Sequence, residues 1–236
     1  MCTVSFVNNN GIVIITSNRD EKVIRPGAEA PRNFFHKGKN IMYPKDSKAG
    51  GTWFAIDENG IVLVLLNGGI TKHTPILPYR KSRGLILLDI ISDVSPKDFW
   101  KQINLENIEP FTLVLYQNEE LYELIWDGSG KRTTKLNEFE RHIWSSVTLY
   151  SEEIRKKRSS WFFDFLKNKI KISALDMLDF HKNTHNDDTQ NGLIINRENK
   201  MKTLSVTQVV IEQNKGAMKY YDLIKTEDFS TSFIRI

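Results

Sequence analysis

The first 21 residues constrain the fold most, because they hold two apolar runs separated by a short polar turn. Residues 1–7 (MCTVSFV) and 12–17 (IVIITS) are each as long as a strand, and residues 8–11 (NNNG) between them favour a tight turn. Two such runs joined by Asn and Gly are typical of a β-hairpin. The sequence therefore predicts an antiparallel pair in which the beginning of the first strand lies beside the end of the second.

Cys2, the single cysteine of the chain, would lie beside Arg19 and Asp20 in this hairpin. Removal of Met1 would leave a thiol and a free α-amine on one residue, with ordinary pKa values of about 8.5 and about 7.7–8.0. Such an amine can serve as the base for its own nucleophile. A guanidinium at Arg19 would favour the thiolate, and a carboxylate at Asp20 would orient the amine. The alternative is a buried structural cysteine and a surface Arg–Asp ion pair.

Three short motifs carry a family resemblance: residues 1–3 (MCT), 17–21 (SNRDE) and 50–56 (GGTWFAI). With them the chain resembles the NRDE family, which includes transport and Golgi organisation protein 2. That family is similar to the N-terminal-nucleophile hydrolases, particularly the choloylglycine hydrolase and penicillin V acylase group. The resemblance implies an α+β fold, a four-layer αββα sandwich of two mostly antiparallel sheets, with Cys2 as nucleophile.

Length and composition indicate one domain over residues 1–236, with 40% apolar and 11% aromatic residues to form its core. The 33 basic and 29 acidic residues leave a net charge of +4, and the basic residues are scattered, which argues against a nucleic-acid partner. Residues 155–158 (RKKR) form the densest basic run. Their helical spacing predicts a solvated helix face rather than a polyanion site.

A single cysteine excludes a disulfide framework and a cysteine zinc site, and no metal or cofactor is expected. The longest apolar run, residues 61–66, is too short to cross a bilayer, and the N-terminus lacks the pattern of a signal peptide. These features predict a cytoplasmic protein without an integral membrane segment.

Residues 61–66 (IVLVLL) are apolar on both faces of a strand, which predicts a central position in a sheet. Asn67 follows, with Gly68 and Gly69 after it. An amide at the exposed end of a buried strand can donate a hydrogen bond to an oxyanion, and the family resemblance implies this role for Asn67. A simple Asn-Gly turn is the alternative.

The remaining elements follow from periodicity and caps. Helices are predicted at residues 84–92, after Ser95, after Ser151 and after Ser173. Strands are predicted at residues 49–56, 111–117, 120–126, 143–148, 203–212 and 218–223, whereas residues 25–44 are expected to be irregular except for a short strand at 41–43. Arg80 and Arg83 are candidate substrate-binding residues at a pocket mouth, where they would attract a carboxylate or phosphate.

Three features depart from the choloylglycine-like pattern. Where relatives have a Ser-Asn pair, this chain has Ser145 and Ser146, so that Ser146 becomes the candidate donor to a substrate. The strand at residues 203–208 (TLSVTQ) lacks the second arginine of those enzymes, and Asp20 follows Arg19 directly instead of three residues later.

The polar stretch 181–188 (HKNTHNDD) is interpreted as a solvated loop rather than a metal site, with a flexible lid as the alternative.

These observations predict an N-terminal cysteine hydrolase or acyltransferase. It would act on a small-molecule substrate with a non-peptide amide or a thioester, through Cys2, Arg19, Asp20 and Asn67. The alternative is a protein of the same fold that binds a hydrophobic ligand, lipid-like or haem-like, without turnover.

Overall fold

The computed structural model describes residues 3–234, so Met1, Cys2, Arg235 and Ile236 lie outside the described part. The chain opens with the predicted hairpin of β1 (Thr3–Asn9) and β2 (Ile12–Lys22), whose register pairs Thr3 with Asn18. Asn10 and Gly11 form its turn with φ values of 50° and 90°. Two-residue hairpin turns that match strand twist need positive φ at both central positions, which Asn and Gly tolerate best.

Within residues 3–234, the strands form two antiparallel sheets. The first sheet has the order β10-β1-β2-β12-β13-β14, with β11 paired to β12; its further strands are β10 (His142–Ser145), β11 (Asn196–Arg197), β12 (Met201–Glu212), β13 (Lys215–Asp222) and β14 (Glu227–Ile234). The second sheet runs in the order β3 to β9: β3 (Glu29–His36), β4 (Lys39–Lys45), β5 (Phe54–Asp57), β6 (Val62–Asn67), β7 (Phe111–Gln117), β8 (Glu120–Trp126) and β9 (Lys131–Leu136).

Four helices cover the outer faces of the sheets: α1 (Arg83–Ile91), α2 (Pro96–Gln102), α3 (Glu152–Leu166) and α4 (Ala174–Asn183). Side chains on β1 and β2 alternate between two layers, as strand geometry requires. Phe6 and Ile15 pack towards the second sheet, whereas Val7 and Ile14 pack with residues of α3 and α4. Helix α1 packs on β5 and β6. The predicted αββα order of layers is confirmed.

Strand β6 is the buried centre of the second sheet, as its sequence predicted. Residues Val62–Leu66 are all buried, with β5 and β7 on either side. Strand β1 is also internal to its sheet, between β10 and β2, and its residues 3–7 are buried. Residues 3–7 thus lie inside the sheet and not at its edge, whereas Cys2 lies outside the described residues.

Two of the three predicted serine caps form, those at Ser151 and Ser173, whereas the Ser95 side chain makes no capping hydrogen bond to the backbone of α2. The side chain of Ser151 accepts a hydrogen bond from the N–H of Ile154 at the start of α3. Ser173 and Asp176 form a complete capping box at the start of α4. Each cap binds backbone donors that the first helical turn cannot satisfy internally, which fixes where the helix begins.

Apart from the two-residue strand β11, three strands were not predicted from the sequence: β3, β9 and β14. Residues 25–44 were expected to be largely irregular, but they contain β3 and β4 joined through Lys37 and Gly38. All three missed strands lie at sheet edges and expose many of their side chains. An edge strand with polar side chains has little hydrophobic periodicity, and pairing with its neighbour decides its conformation.

Two predictions of solvated segments were wrong in part. In the basic run, Lys156 and Lys157 are exposed and pair with glutamates one helical turn earlier, but Arg158 is fully buried. Arg158 shares a helix face with Phe162, which packs against the sheet. His181, expected at the start of a polar loop, belongs to α4 and is also fully buried.

No helix among residues 3–234 is long and apolar enough to cross a membrane. In the same part of the chain, the acidic, histidine and cysteine side chains form no cluster suited to a metal ion.

Candidate active site at the end of the N-terminal hairpin

Arg19 and Asp20 lie at the end of β2 on opposite faces of the first sheet, because successive strand residues alternate. Arg19 points between the two sheets, and Asp20 points to the other face; both are buried. Asn18, one residue earlier, pairs with Thr3 at the beginning of β1. The prediction that Arg19 contacts the Cys2 sulfur concerns a residue outside the described part, and it stays a prediction.

Arg19 is held by a carboxylate and an aromatic ring from the connection between β4 and β5 of the second sheet. Its Nη2 lies 2.9 Å from Oδ2 of Asp46, and its guanidinium lies 4.4 Å from the centroid of the Trp53 ring. Arg25 binds the same carboxylate with both Nε and Nη2, at 2.8 and 3.0 Å. The direction of the Arg19 guanidinium is therefore set from the second sheet.

Asp46 stays ionised in this position. Burial would raise its pKa, but the hydrogen bonds from Arg25 and from the N–H of Ala49, together with the charges of Arg25 and Arg19, lower the pKa below its ordinary value. A carboxylate that accepts this many hydrogen bonds is a fixed anchor for both arginines.

Asp20 is oriented by hydroxyl groups on the opposite face. Tyr150 donates its phenolic proton to one carboxylate oxygen at 2.5 Å, and Thr203 donates to the other at 2.6 Å. Tyr150 comes from the segment after β10, and Thr203 comes from β12. Three separate parts of the first sheet and its connections thus converge on this carboxylate.

A buried arginine connects Tyr150 with the beginning of β1. The guanidinium of Arg158 lies 3.6 Å from the centroid of the Tyr150 ring and donates a hydrogen bond to Oγ1 of Thr3. It also donates to the carbonyl oxygens of Asn191 and Gly192. Thr3 directly follows Cys2 in the chain, so Arg158 helps to fix the strand at the end nearest the candidate nucleophile.

His181 adds a second buried link to the hairpin. Its Nδ1 contacts Oδ1 of Asn18, and its Nε2 lies 2.7 Å from Oγ of Ser5. Asn18 donates through Nδ2 to the carbonyl oxygens of His181 and Leu193, so its Oδ1 must accept. The proton therefore sits on Nδ1, and Ser5 donates to Nε2. Burial, with a smaller contribution from the charge of Arg158, lowers the His181 pKa to about 3, which keeps the ring neutral.

Asn67 ends β6 and faces two cavities. Its carbonyl oxygen accepts hydrogen bonds from Oγ of Ser146 at 2.8 Å and Oγ1 of Thr148 at 3.5 Å. No described residue hydrogen-bonds to its side-chain amide. The Ser146 hydroxyl, predicted as a donor to substrate, is engaged with the backbone of Asn67 and with Thr148. In this structure Ser146 therefore fixes the end of β6.

The larger cavity is a cleft of about 510 Å³ that brings Arg19 and Asn67 to one wall. Its apolar surface comes from Trp53, Leu65, Leu77, Pro78 and Tyr79. Its charged residues are Arg19, Glu21, Arg25, Asp46, Lys81, Arg83 and Glu109. A cleft of this size and mixed lining suits a small molecule with one polar and one apolar part.

The two arginines predicted at the pocket mouth differ in position. Arg83 lines the cleft, where its Nη2 lies 3.1 Å from Oε2 of Glu109 and burial lowers its pKa. Arg80 is not among the residues that line the cleft; its guanidinium donates to the carbonyl oxygens of Asn104 and Glu106 at 2.6 and 3.3 Å. The structure thus brings Arg83, but not Arg80, to the candidate site.

Several residues of the site were not recognised from the sequence: Asp46, Tyr150, Arg158, Thr203 and Trp53. Trp53 belongs to the quoted block at residues 50–56, which was the available signal. The others carry no local signal of a role in the site, and they reach Arg19, Asp20 or Thr3 from distant parts of the chain.

Comparisons with known proteins agree with this architecture. No curated protein sequence shows a significant match. Among solved structures, the chain is similar to a Caenorhabditis elegans N-acylethanolamine-hydrolyzing acid amidase ortholog, with a TM-score of 0.63 and 11% identity over 88% of this chain and 92% of the other. It is similar to an arginine-to-leucine variant of conjugated bile acid hydrolase from Clostridium perfringens, with a TM-score of 0.60, 11% identity and 99% and 98% coverage. It is also similar to a cysteine-to-alanine mutant of the same hydrolase, with a TM-score of 0.59 and 9% identity over 100% of this chain and 98% of the other.

At these identities the structural likeness concerns the fold alone, a sandwich of two antiparallel sheets with helices on the outer faces. The family model described as Transport and Golgi organisation 2 matches residues 1–230. The resemblance inferred from the three short motifs is thereby confirmed over almost the entire sequence, and the chain belongs to the Transport and Golgi organisation 2 family.

Proposed function

We propose that this protein is an N-terminal cysteine hydrolase or acyltransferase that acts on a non-peptide amide or a thioester. One observation carries the proposal: Asn18, directly before Arg19 and Asp20, pairs with Thr3 at the beginning of β1, while Arg19 and Asn67 line one cleft. The likeness to an acid amidase and a bile acid hydrolase supports the reaction class.

In the proposed reaction, removal of Met1 frees the α-amine of Cys2. The thiol proton passes to this amine while the sulfur bonds to the substrate carbonyl carbon, whose oxygen takes the negative charge. When the carbon–nitrogen bond breaks, the leaving amine takes the proton from the ammonium group. Cys2 is now joined to the acyl group as a thioester. The α-amine of Cys2 then deprotonates a water molecule, which attacks this thioester, releases the acid and restores the thiol. In acyl transfer, another nucleophile replaces water.

The surrounding residues have distinct proposed roles. Arg19, whose direction Asp46 and Trp53 set, stabilises the thiolate through its positive charge. Asp20, held by Tyr150 and Thr203, orients the α-amine. The Asn67 amide, which no residue from 3 to 234 engages and which borders the cleft, donates to the oxyanion.

A second candidate function is binding of a hydrophobic ligand without turnover. Two observations favour it: the Ser146 hydroxyl donates to the backbone of Asn67, and Ser205, not an arginine, lies opposite Arg19 on β12. The apolar part of the cleft, with Trp53 and Leu65, would receive a lipid-like or haem-like ligand.

Alkylation of Cys2 separates these functions. Intact-mass measurement first establishes that Met1 is removed, and iodoacetamide labelling at neutral pH then reports thiolate reactivity. If the protein is a hydrolase, Cys2 reacts faster than a model thiol, and Arg19→Ala slows labelling by about tenfold because the thiol pKa rises. Arg32→Ala, on the exposed edge strand β3, is the matched control and should label at the wild-type rate.

Turnover gives the second readout. Cys2→Ser should abolish hydrolysis of any amide that the wild type cleaves, whereas a binding protein would keep its ligand affinity after this substitution. Full turnover by Cys2→Ser, or equal labelling of the Arg19→Ala and wild-type proteins, would rule out the hydrolase proposal.

A further inference from the structure

A second cavity of about 290 Å³ lies on the other side of Asn67. It opens between β10 of the first sheet and β8 and β9 of the second. Its apolar walls are formed by Leu66, Ile70, Ile125, Ile143, Trp144 and Val147. A small hollow in which apolar side chains alternate with polar and charged groups has the character of a binding site for a small organic molecule.

The charges in the two cavities are balanced differently. In the larger cleft, each of the basic side chains lies within 4 Å of a carboxylate: Arg19 and Arg25 on Asp46, Arg83 on Glu109, and Lys81 on Asp89. In the second cavity, neither Arg132 nor Arg155 forms an ion pair with any residue from 3 to 234. The second cavity therefore differs from the cleft in that its two guanidinium groups have no ion-pair partner among the described residues.

The acidic residue that lines the second cavity does not neutralise these arginines. Oε1 of Glu123 accepts a hydrogen bond from the indole Nε1 of Trp144 at 3.0 Å. Glu123 therefore serves to hold the aromatic wall, and it lies beyond ion-pair distance of both Arg132 and Arg155 within the described structure.

Arg155 carries a further sign of a missing acceptor. Its neighbours Lys156 and Lys157 point to solvent, each paired with a glutamate four residues earlier. Arg155 lines the second cavity instead, and its Nε is buried without a hydrogen-bond partner among residues 3–234. Buried donors in native proteins nearly always have an acceptor, and a guanidinium fork matches a carboxylate with two parallel hydrogen bonds.

We propose that the second cavity binds the carboxylate of a small organic acid, with Arg155 and Arg132 as its cationic groups and Trp144 as its apolar wall. The apolar lining favours an organic anion over an inorganic one. The carboxylate belongs either to a free acid or to one end of the amide substrate, because Asn67 lies between the two cavities. The assignment of the carboxylate to the amide substrate rests on the proposed function.

Benzoate and benzamide form a matched pair of probes, since they share size and ring but differ in charge. Calorimetric titration into the full-length protein should show that benzoate binds and that benzamide binds at least about tenfold more weakly than benzoate. Arg155→Gln should weaken benzoate binding by about tenfold or more, and Arg132→Gln should have a smaller effect because its side chain is exposed. Lys156→Gln is the control on the same helix and should bind benzoate as the wild type does.

Thermal unfolding by circular dichroism verifies that each variant is folded, and the probe comparison in the wild type needs no variant. Equal affinity for benzoate and benzamide, unchanged binding by Arg155→Gln, or no benzoate binding up to about 10 mM would overturn the proposal. Displacement of benzoate by inorganic phosphate at equal concentration would also overturn it, because an organic anion would then have no preference.

Turnover distinguishes the two sources of the carboxylate. If it is the substrate's, the wild type hydrolyses N-benzoylglycine faster than its neutral counterpart N-benzoylglycinamide, and Arg155→Gln removes that preference. If it is a free acid, benzoate binds but the two amides are treated alike. Benzoate binding without turnover of either amide would contradict the hydrolase reaction while leaving the carboxylate site established.

Discussion

At the scale of single residues, the candidate site depends on side chains that are buried yet polar. Arg19, Asp20, Arg158 and His181 are all buried, and each is bound by groups from other parts of the chain. Burying a polar group is costly unless its hydrogen bonds are replaced. The geometry of these partners is therefore as important to the site as the candidate catalytic groups themselves.

His181 makes the stability of the fold depend on pH. Its pKa is about 3 in the folded protein, against an ordinary value of about 6.5, so the unfolded chain binds one more proton between these values. Stability is then highest above pH 6.5 and falls as the pH decreases, by up to about 1.4 kcal/mol per pH unit from this group.

Urea denaturation of the wild type and His181→Gln at several pH values between 7 and 4 measures this contribution. His181→Gln loses the buried hydrogen bonds of the imidazole, so it should be less stable than the wild type at pH 7. Because the variant has no histidine to protonate at this position, the wild type should lose more stability as the pH falls, and the difference between their free energies of unfolding should narrow. His142→Gln, at an exposed hydrogen bond, is the control. A difference that stays constant over this range would contradict the assigned role of His181.

At the scale of elements, the contact between the segment before β5 and the start of α1 shapes the cleft. A Cβ added to Gly51 would lie 2.4 Å from the backbone carbon of Gly84 and 2.6 Å from the nitrogen of Leu85. The N–H of Thr52 donates to the carbonyl of Gly84 at 3.3 Å. Two glycines let the backbones meet, and this approach brings Arg83 and Trp53 to one cleft.

Gly51→Ala should therefore destabilise the protein by about 1–3 kcal/mol, because backbone atoms must move to admit the methyl group. The matched control is Gly27→Ala, where an added Cβ meets nothing within 4 Å. That change should be neutral or slightly stabilising, since alanine restricts the unfolded chain. Denaturation midpoints measure both, and equal midpoints would show that the close approach is dispensable.

At the scale of the whole molecule, the helix layer is tied to the first sheet through polar contacts as well as apolar ones. Phe162 and Phe180 pack under β1 and β2, while Arg158 bonds to Thr3 and to the carbonyl oxygens of Asn191 and Gly192. One side chain thereby joins α3, the beginning of β1 and the connection that precedes β11.

Arg158→Met should lower the free energy of unfolding by about 1–3 kcal/mol, since it leaves several buried acceptors without donors. Lys157→Met, one residue earlier on the exposed face, should change it by about 0.5 kcal/mol or less. Hydrogen exchange in β1 should accelerate in the Arg158 variant alone. Equal stability of the two variants would mean that apolar packing suffices to hold α3 on the sheet.

Local pattern explains how much could be predicted. The β1–β2 hairpin, the doubly buried β6 and the capping box at Ser173 each depend on residues close together in sequence, so periodicity and turn chemistry determined them. Among candidate site residues, the sequence identified Arg19, Asp20 and Asn67 through their motifs, and the structure brings Arg19 and Asn67 to one cleft.

The tertiary structure alone decided which partners hold those residues. Asp46 reaches Arg19 across 27 positions, Tyr150 reaches Asp20 across 130, and His181 reaches Ser5 across 176. It also decided the edge strands β3, β9 and β14, whose polar sequences become strands by pairing with a neighbour. The sequence by itself determined the hairpin and the central strands because their information is local; the site's supporting contacts are long-range, and they exist only once both sheets have packed.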